Sequence, residues 1–292
     1  MHYEARFVVD THTHITTLYQ PEGQKSMLPP DKIKNWYGLG VLVQVFDNSP
    51  LCIYDMERYG IDMCLLKPSQ PGTTNEMQAA LVEKHPDKFR AFCADQNLRT
   101  SVARGETKWT LNAAADEVEK ALQTGNFIGI GEFVPMDRDP KKEYTFKERL
   151  NEYRTFMELA QKYDVTIDFH DFSHGFEWDP YQLLRRIAKE YPDVNIVFCH
   201  SGYSIGGYTY GEEVIKKACN IAGSSNNIYL ETGNWPAEYF RIALDDPNVG
   251  PARLIWGGDY GNVPQYIMAN PGGNPPSYAS VIRKFPEFPI IR

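Results

Sequence analysis

Cysteine is scarce in this chain, and the few thiols present do not pair by spacing. Five cysteines, Cys52, Cys64, Cys93, Cys199 and Cys219, are scattered with no CxxC among them. An odd count without short spacings argues against a disulfide framework and for reduced thiols in a cytoplasmic protein. Long hydrophobic runs are also missing. None approaches the roughly 18 residues that would span a membrane, and residues 1–10 lack the apolar stretch and small-residue cleavage site of a signal peptide. Positive charge is in deficit: 30 Lys and Arg against 38 Asp and Glu leave a net charge of -8, the wrong sign for a phosphate-binding surface. There is no internal repeat, no low-complexity tract and no linker. The remaining composition, 42% hydrophobic and 23% charged, is that of an ordinary globular protein. A single domain over residues 1–292 is expected, acting on a small molecule, with neither nucleic acid nor membrane as partner and with homo-oligomerisation left open.

Short apolar runs recur along the chain at 7–9, 63–66, 89–94, 127–130, 165–169, 194–199, 228–230 and 254–256. One-sided helical patterns fill many of the gaps, at 75–84, 112–124, 146–163, 180–191, 211–222 and 236–244. Pro180 and Pro236 suit the first turn of a helix. Strands alternating with helices of this length predict parallel βαβ units. Eight of them close into a (β/α)8 barrel of the TIM type. An open doubly wound sheet would want a glycine-rich phosphate turn after the first strand, and that turn holds His-Thr-His instead. Two regions exceed a minimal barrel. Residues 15–50, with Trp36, Tyr37 and Phe46, are expected to form a cap over the mouth. Residues 260–292 form an irregular tail; either a short last helix lies near 277–284 or the natural chain continues past Arg292.

The polar residues with chemistry sit at the ends of the apolar runs. His12 and His14 are two apart, so on a strand they share a face. His170 follows the fifth run, His200 the sixth and Asp259 the eighth. In a barrel the C-terminal strand ends converge on one mouth. Three or four imidazoles with one or two carboxylates there would hold a divalent ion, Zn²⁺ first and Mn²⁺ second, which lowers the pKa of bound water to about 7. Each signal alone is weak; an Asp after two glycines is often only a turn residue. Four separate strand ends delivering ligand-type side chains make the case.

The order His-x-His, His, His, Asp along such a barrel resembles the amidohydrolase superfamily. The stretches VVDTHTHI, VNIVFCHSGY, NIYLETGNW and LIWGGDYGN resemble its amidohydrolase-related branch, which includes aminocarboxymuconate semialdehyde decarboxylase, hydroxybenzoate decarboxylases and lactone hydrolases. The resemblance runs over about residues 7–262. It implies His12, His14, His170 and Asp259 as metal ligands and His200 as the base beside them, with Asp259 also shuttling a proton. The chain departs from the pattern in lacking the usual C-terminal helices. It also has no Lys at the end of the fourth strand to carry a carbamate bridge. GIGEF ends instead in Glu132, which resembles the Glu of TatD-like nucleases. Glu132 is thus a candidate bridge between two metals, or else a carboxylate that orients a ligand His from behind; one ion or two remains open.

Lys67 and Arg99, just past the second and third runs, are candidates to bind a substrate carboxylate. Trp235 and Asn234, with Tyr203, Tyr208 and Tyr210, would give the mouth an aromatic wall. His174 is a weaker candidate on the loop after His170. The expected activity is hydrolysis of a small, carboxylated cyclic substrate by metal-activated water. The alternative is non-oxidative decarboxylation of an aromatic or muconate-like acid at the same site.

Overall fold

The computed structural model describes residues 7–17, 25, 46–68, 73–133, 145–170, 180–202, 211–233 and 235–261. Eight strands form one parallel sheet: β1 (Val9–Thr13), β2 (Met63–Leu66), β3 (Phe89–Cys93), β4 (Phe127–Phe133), β5 (Thr166–Phe169), β6 (Ile196–Phe198), β7 (Ile228–Glu231) and β8 (Leu254–Ile255). Each pairs with the next in chain order. The sheet closes on itself where the chain past β8 meets β1. Thr11 N donates to Trp256 O at 3.2 Å, His14 N donates to Tyr260 O at 2.7 Å, and Thr13 bridges Tyr260 in parallel. The architecture is the (β/α)8 barrel expected from the sequence.

Helices α1 (Ser49–Tyr59), α2 (Asn75–Lys84), α3 (Gln96–Ala103), α4 (Leu111–Leu122), α5 (Phe146–Tyr163), α6 (Pro180–Glu190), α7 (Glu212–Gly223) and α8 (Ala237–Leu244) lie between the strands. The longest, α5, shows how the sequence builds them. Thr145 and Glu148 form a reciprocal capping box, with Glu148 N donating to Thr145 Oγ1 at 3.2 Å. Leu150, Tyr153, Phe156, Met157 and Ala160 then recur at helical spacing and are all buried. They pack on outward-facing strand residues such as Ile130, Ile167, Phe169, Ile196 and Phe198 in one continuous core. Each large apolar side chain so buried stabilises the fold by about 1.5–3 kcal/mol.

The other parity points into the barrel, and on β1, β5 and β7 it carries acids and imidazoles. Asp10, His12 and His14 on and just past β1, Asp168 on β5 and Glu231 on β7 are all buried. Alternation thus gives the sheet an apolar outer face and an inner face that carries the site's polar residues.

Of the expected cap, only its ends and Lys25 lie within the described residues. Thr16–Thr17 pairs antiparallel with Phe46–Asp47, and Asn48 N donates to Ile15 O at 2.7 Å, so the two ends leave the barrel side by side. Phe46 is buried in that ladder. Trp36 and Tyr37, and the expected helix at 277–284, lie outside the described residues. All five cysteines are buried thiols outside any disulfide. Among the described residues no helix is long and apolar enough to cross a membrane.

Candidate metal centre

Four donor atoms from three strand ends face one another at the mouth. His12 Nε2 and His14 Nε2 lie 3.0 Å apart. Asp259 Oδ1 is 3.7 Å from the first and 3.4 Å from the second. Glu132 Oε2 is 3.6 Å from His12 Nε2 and 3.5 Å from His14 Nε2. Two ligands each about 2.0–2.1 Å from a tetrahedral ion lie roughly 3.3 Å apart, so these separations match donors around one cation. The donor atoms of His12, His14 and Asp259 all fall within 4.8 Å of one another, as do those of His12, Glu132, Cys199 and His200.

The second oxygen of Glu132 faces elsewhere. Oε1 is 3.0 Å from His170 Nε2, on the loop just past β5. The His170 ring stands edge-on to His200 with centroids 5.1 Å apart. Glu132 therefore separates His12 and His14 on one side from His170 on the other. Its Oε2, and His200 Nε2 on the mouth side, have no hydrogen-bond partner among the described residues. Buried polar atoms are seldom left so, and unsatisfied acceptors facing imidazole nitrogens fit a divalent cation.

Local backbone geometry aims the last two groups. His200 and Ser201 follow β6 with φ of 49° and 51°, and Asp259 has φ 49°. Residues other than glycine seldom adopt this left-handed region, and it costs about 1–3 kcal/mol. The turn bends His200 back over the mouth, where its ring stacks on His12 at a centroid distance of 4.8 Å. Its Nε2 is 3.9 Å from Asp259 Oδ2.

Electrostatics keep the carboxylates charged. Burial alone would raise the Glu132 pKa, but the neighbouring imidazoles of His170 and His12 outweigh it and hold the acid well below its ordinary range. Burial likewise opposes ionisation of Glu231, yet contacts with His12 and His200 bring it down to about 2. Asp259 is depressed in the same way, burial being overcome by His200, His14 and His12. His12 is pushed the other way: burial would lower it, and Glu132 and Glu231 raise it well above 6.5. Burial dominates at His200 and lowers its pKa, against the pull of Asp259 and Glu231. Burial, with Asp168 and Glu132 nearby, keeps Cys199 a protonated thiol.

The remaining expected residues are placed differently. Lys67 pairs with Asp168 across the barrel interior, its Nζ 3.6 Å from the Phe92 ring centroid. Arg99 Nε donates to Asp95 Oδ1 at 2.6 Å. Both cations are buried and matched to carboxylates of the chain itself. The Lys67 carbonyl does serve the site, lying 2.8 Å from His14 Nδ1. Trp235 is fully buried and donates Nε1–H to His200 O at 2.9 Å, so it braces the His200 turn. Asn234, Tyr203, Tyr208, Tyr210 and His174 lie outside the described residues.

Asp10 and Glu231 are buried acids of the mouth that were not expected there. Asp10 Oδ1 accepts from His12 N at 2.9 Å and Gly258 N at 2.7 Å, tying the first strand to the last. Glu231 contacts His12 and His200 together. Its only sequence signal is its place as the polar end of the run in NIYLETGNW.

An eight-stranded parallel barrel whose mouth gathers four imidazoles and three carboxylates is a TIM-type scaffold with donors that could hold a metal ion. A family model for amidohydrolases matches residues 9–273, and the chain belongs to that family. Solved structures agree on the fold. A probable 2-pyrone-4,6-dicarboxylic acid hydrolase from Acinetobacter baumannii, with citric acid bound, aligns with a TM-score of 0.56 at 14% identity, covering 96% of this chain and 91% of that one. A TatD homologue from Escherichia coli K12 gives 0.53 at 13% identity, covering 96% and 88%. An amidohydrolase 2 from Bifidobacterium longum subsp. infantis gives 0.50 at 13%, covering 94% and 89%. The uncharacterised protein y4mH of Sinorhizobium fredii is 24% identical over 196 residues, 56% of this chain. That match spans 63% of the relative, less than two thirds of its length.

Proposed function

We propose that this chain is a metal-dependent hydrolase that opens a small cyclic substrate with water activated at the barrel mouth. The observation that carries this reading is the placement of Glu132, one oxygen toward His12 and His14 and the other toward His170. His12, His14, Asp259 and Glu132 Oε2 would hold one divalent ion. Glu132 Oε1 and His170 would hold a second, with His200 left free to act as the base. The mixed imidazole and carboxylate donor set suits Zn²⁺, with Mn²⁺ the next choice. Bound there, such an ion supplies a water of lowered pKa and polarises a carbonyl.

The protein's own groups do the rest. His200 is held neutral by burial, so at neutral pH it is ready to accept a proton. Asp259 turns Oδ1 toward the His12 and His14 rings and Oδ2 toward His200. That arrangement lets Asp259 take the proton from His200 and deliver it to the departing oxygen or nitrogen. The expected substrate is a lactone or cyclic amide. Its carboxylate is supported by the family resemblance and not by Lys67 or Arg99, whose charges are already matched.

The test is metal analysis of the purified protein together with a substrate panel. Paired lactones and cyclic amides, with and without a carboxylate, should release acid, fail after chelation and recover with Zn²⁺ or Mn²⁺. Release of CO₂ from carboxylated phenols with no acid from any lactone would replace this reading by the decarboxylase one. Absence of bound metal at saturating supply would remove both.

A further inference from the structure

We propose that Glu231 is a positioning residue shared by His12 and His200: one carboxylate oxygen fixes the proton of both rings on Nδ1 and so turns both Nε2 atoms toward the mouth. The inference rests on the proposed metal-dependent reading for its purpose, but its geometry stands apart from it.

Glu231 ends β7 with its carboxylate wholly buried. Its Oε1 accepts Gly233 N–H at 2.6 Å, and its Oε2 accepts His200 N–H at 2.9 Å. Two backbone donors define the group as an acceptor on both oxygens. The same Oε2 is hydrogen-bonded to His12 Nδ1 at 3.2 Å and makes a charge contact with His200 Nδ1 at 3.4 Å, near enough to draw that ring's proton to the same side. The two rings stack with only 22° between their planes, so one oxygen at their edge reaches both. With Nδ1 protonated on each, the lone pairs sit on Nε2. His12 Nε2 then faces His14, Glu132 and Asp259, and His200 Nε2 faces Asp259.

A competing donor exists. Cys199 Sγ is 3.4 Å from His12 Nδ1, and an S–H donated there would leave the ring proton on Nε2, turned at the other ligands. The carboxylate decides between them, because an ionised acid can only accept while a thiol can do either. The backbone is also cleared for this acid. A Cβ at Gly257 would collide with Glu231 Oε1 and lie 2.8 Å from His12 Cβ. A Cβ at Gly233 would lie 2.9 Å from Glu231 Oε1 and collide with His200 Nδ1. Two glycines thus make room for one carboxylate and the rings it holds. A plain turn-stabilising acid would need the two backbone donors and neither imidazole.

The experiment reads ring protonation by ¹⁵N NMR of histidine-labelled protein, metal-free and Zn²⁺-loaded, with Zn²⁺ affinity measured by chelator competition. In metal-free wild type, His200 Nδ1 is expected to carry the proton; with Zn²⁺, Nδ1 of both His12 and His200 should carry it. Glu231→Gln cannot accept on both sides, so His200 should populate the Nε2–H form and the Zn²⁺ Kd should rise about 10–100-fold. Gly257→Ala keeps the charge but displaces the carboxylate, and should move the same two readouts even if the Gln variant fails to fold. A wild-type His200 with a bare Nδ1 would overturn the proposal. So would a folded Glu231→Gln variant with unchanged tautomers and Zn²⁺ affinity, which would leave Glu231 as a turn acceptor only. If wild type binds no Zn²⁺, the metal-dependent reading fails, whereas the metal-free His200 signal still decides the role of Glu231.

Discussion

Replacing Lys67 with Met separates a structural cation from a substrate-binding one. Lys67 and Asp168 are both buried, and Asp168 Oδ1 has no hydrogen-bond partner among the described residues. Met preserves the volume and apolar stem but removes the charge, so Asp168 is left as an uncompensated buried carboxylate. Breaking one half of such a pair costs about 3–5 kcal/mol. The ammonium also sits 3.6 Å from the Phe92 ring centroid, a contact that strengthens when desolvated. At roughly 2–4 °C per kcal/mol for a large domain, Tm should fall by about 6–20 °C. The double variant Lys67→Met/Asp168→Leu removes both charges and should recover most of the loss, since apolar replacements of buried pairs are often neutral or better. Calorimetry on wild type, the two single variants and the double variant gives the coupling directly. KM for carboxylated and uncarboxylated substrates should change by the same factor. An unchanged Tm, with KM raised only for the carboxylated substrate, would refute the reasoning and return Lys67 to substrate binding.

Glu132→Gln should lower metal content from about two ions to about one, read by elemental analysis; a wild type that saturates at one ion would limit Glu132 to one side of the site. His200→Asn removes the proton-accepting ring and should reduce kcat by about 10²–10⁴-fold with metal content nearly unchanged. Loss of metal in that variant would make His200 a ligand. On the outer surface, hydrogen bonds from Arg154 hold the Glu190 carboxyl down to about 2, against slight burial and with help from Arg186. Because the folded pKa is depressed, the stabilisation is full above the unfolded value of about 4.3 and disappears as pH falls through about 2. Glu190→Gln should therefore lower Tm at neutral pH and leave it unchanged at the acid end of that window.

The barrel was legible because its strands and most helices announce themselves by period. The patterns at 75–84 and 146–163 coincide with α2 and α5. Two helices were not seen. In α3, QNLRTSVA, the buried positions include Gln96, Arg99 and Thr100, so there is no apolar stripe to read. In α1 the buried face is Ser49, Cys52, Asp55 and Met56, which is half polar and begins where the insertion was taken to end. At the site, the imidazoles and Asp259 were visible as strand-end residues of ligand type. Glu231 was not, because its partner His12 lies 219 residues away and a lone strand-end acid has many ordinary uses. The same distance problem hid Asp168. Lys67 shows its charge in the sequence, while the counter-charge stands 101 residues on and becomes a neighbour only when β2 and β5 face each other across the barrel.

Anomalous diffraction at the zinc edge, from crystals grown with saturating Zn²⁺, locates the ions themselves. A peak is expected about 2.0–2.2 Å from His12 Nε2, His14 Nε2, Asp259 Oδ1 and Glu132 Oε2, and a second peak between Glu132 Oε1 and His170. A mouth without anomalous density, or a peak ligated by other residues while His12 and His14 stay unligated, would contradict this metal site.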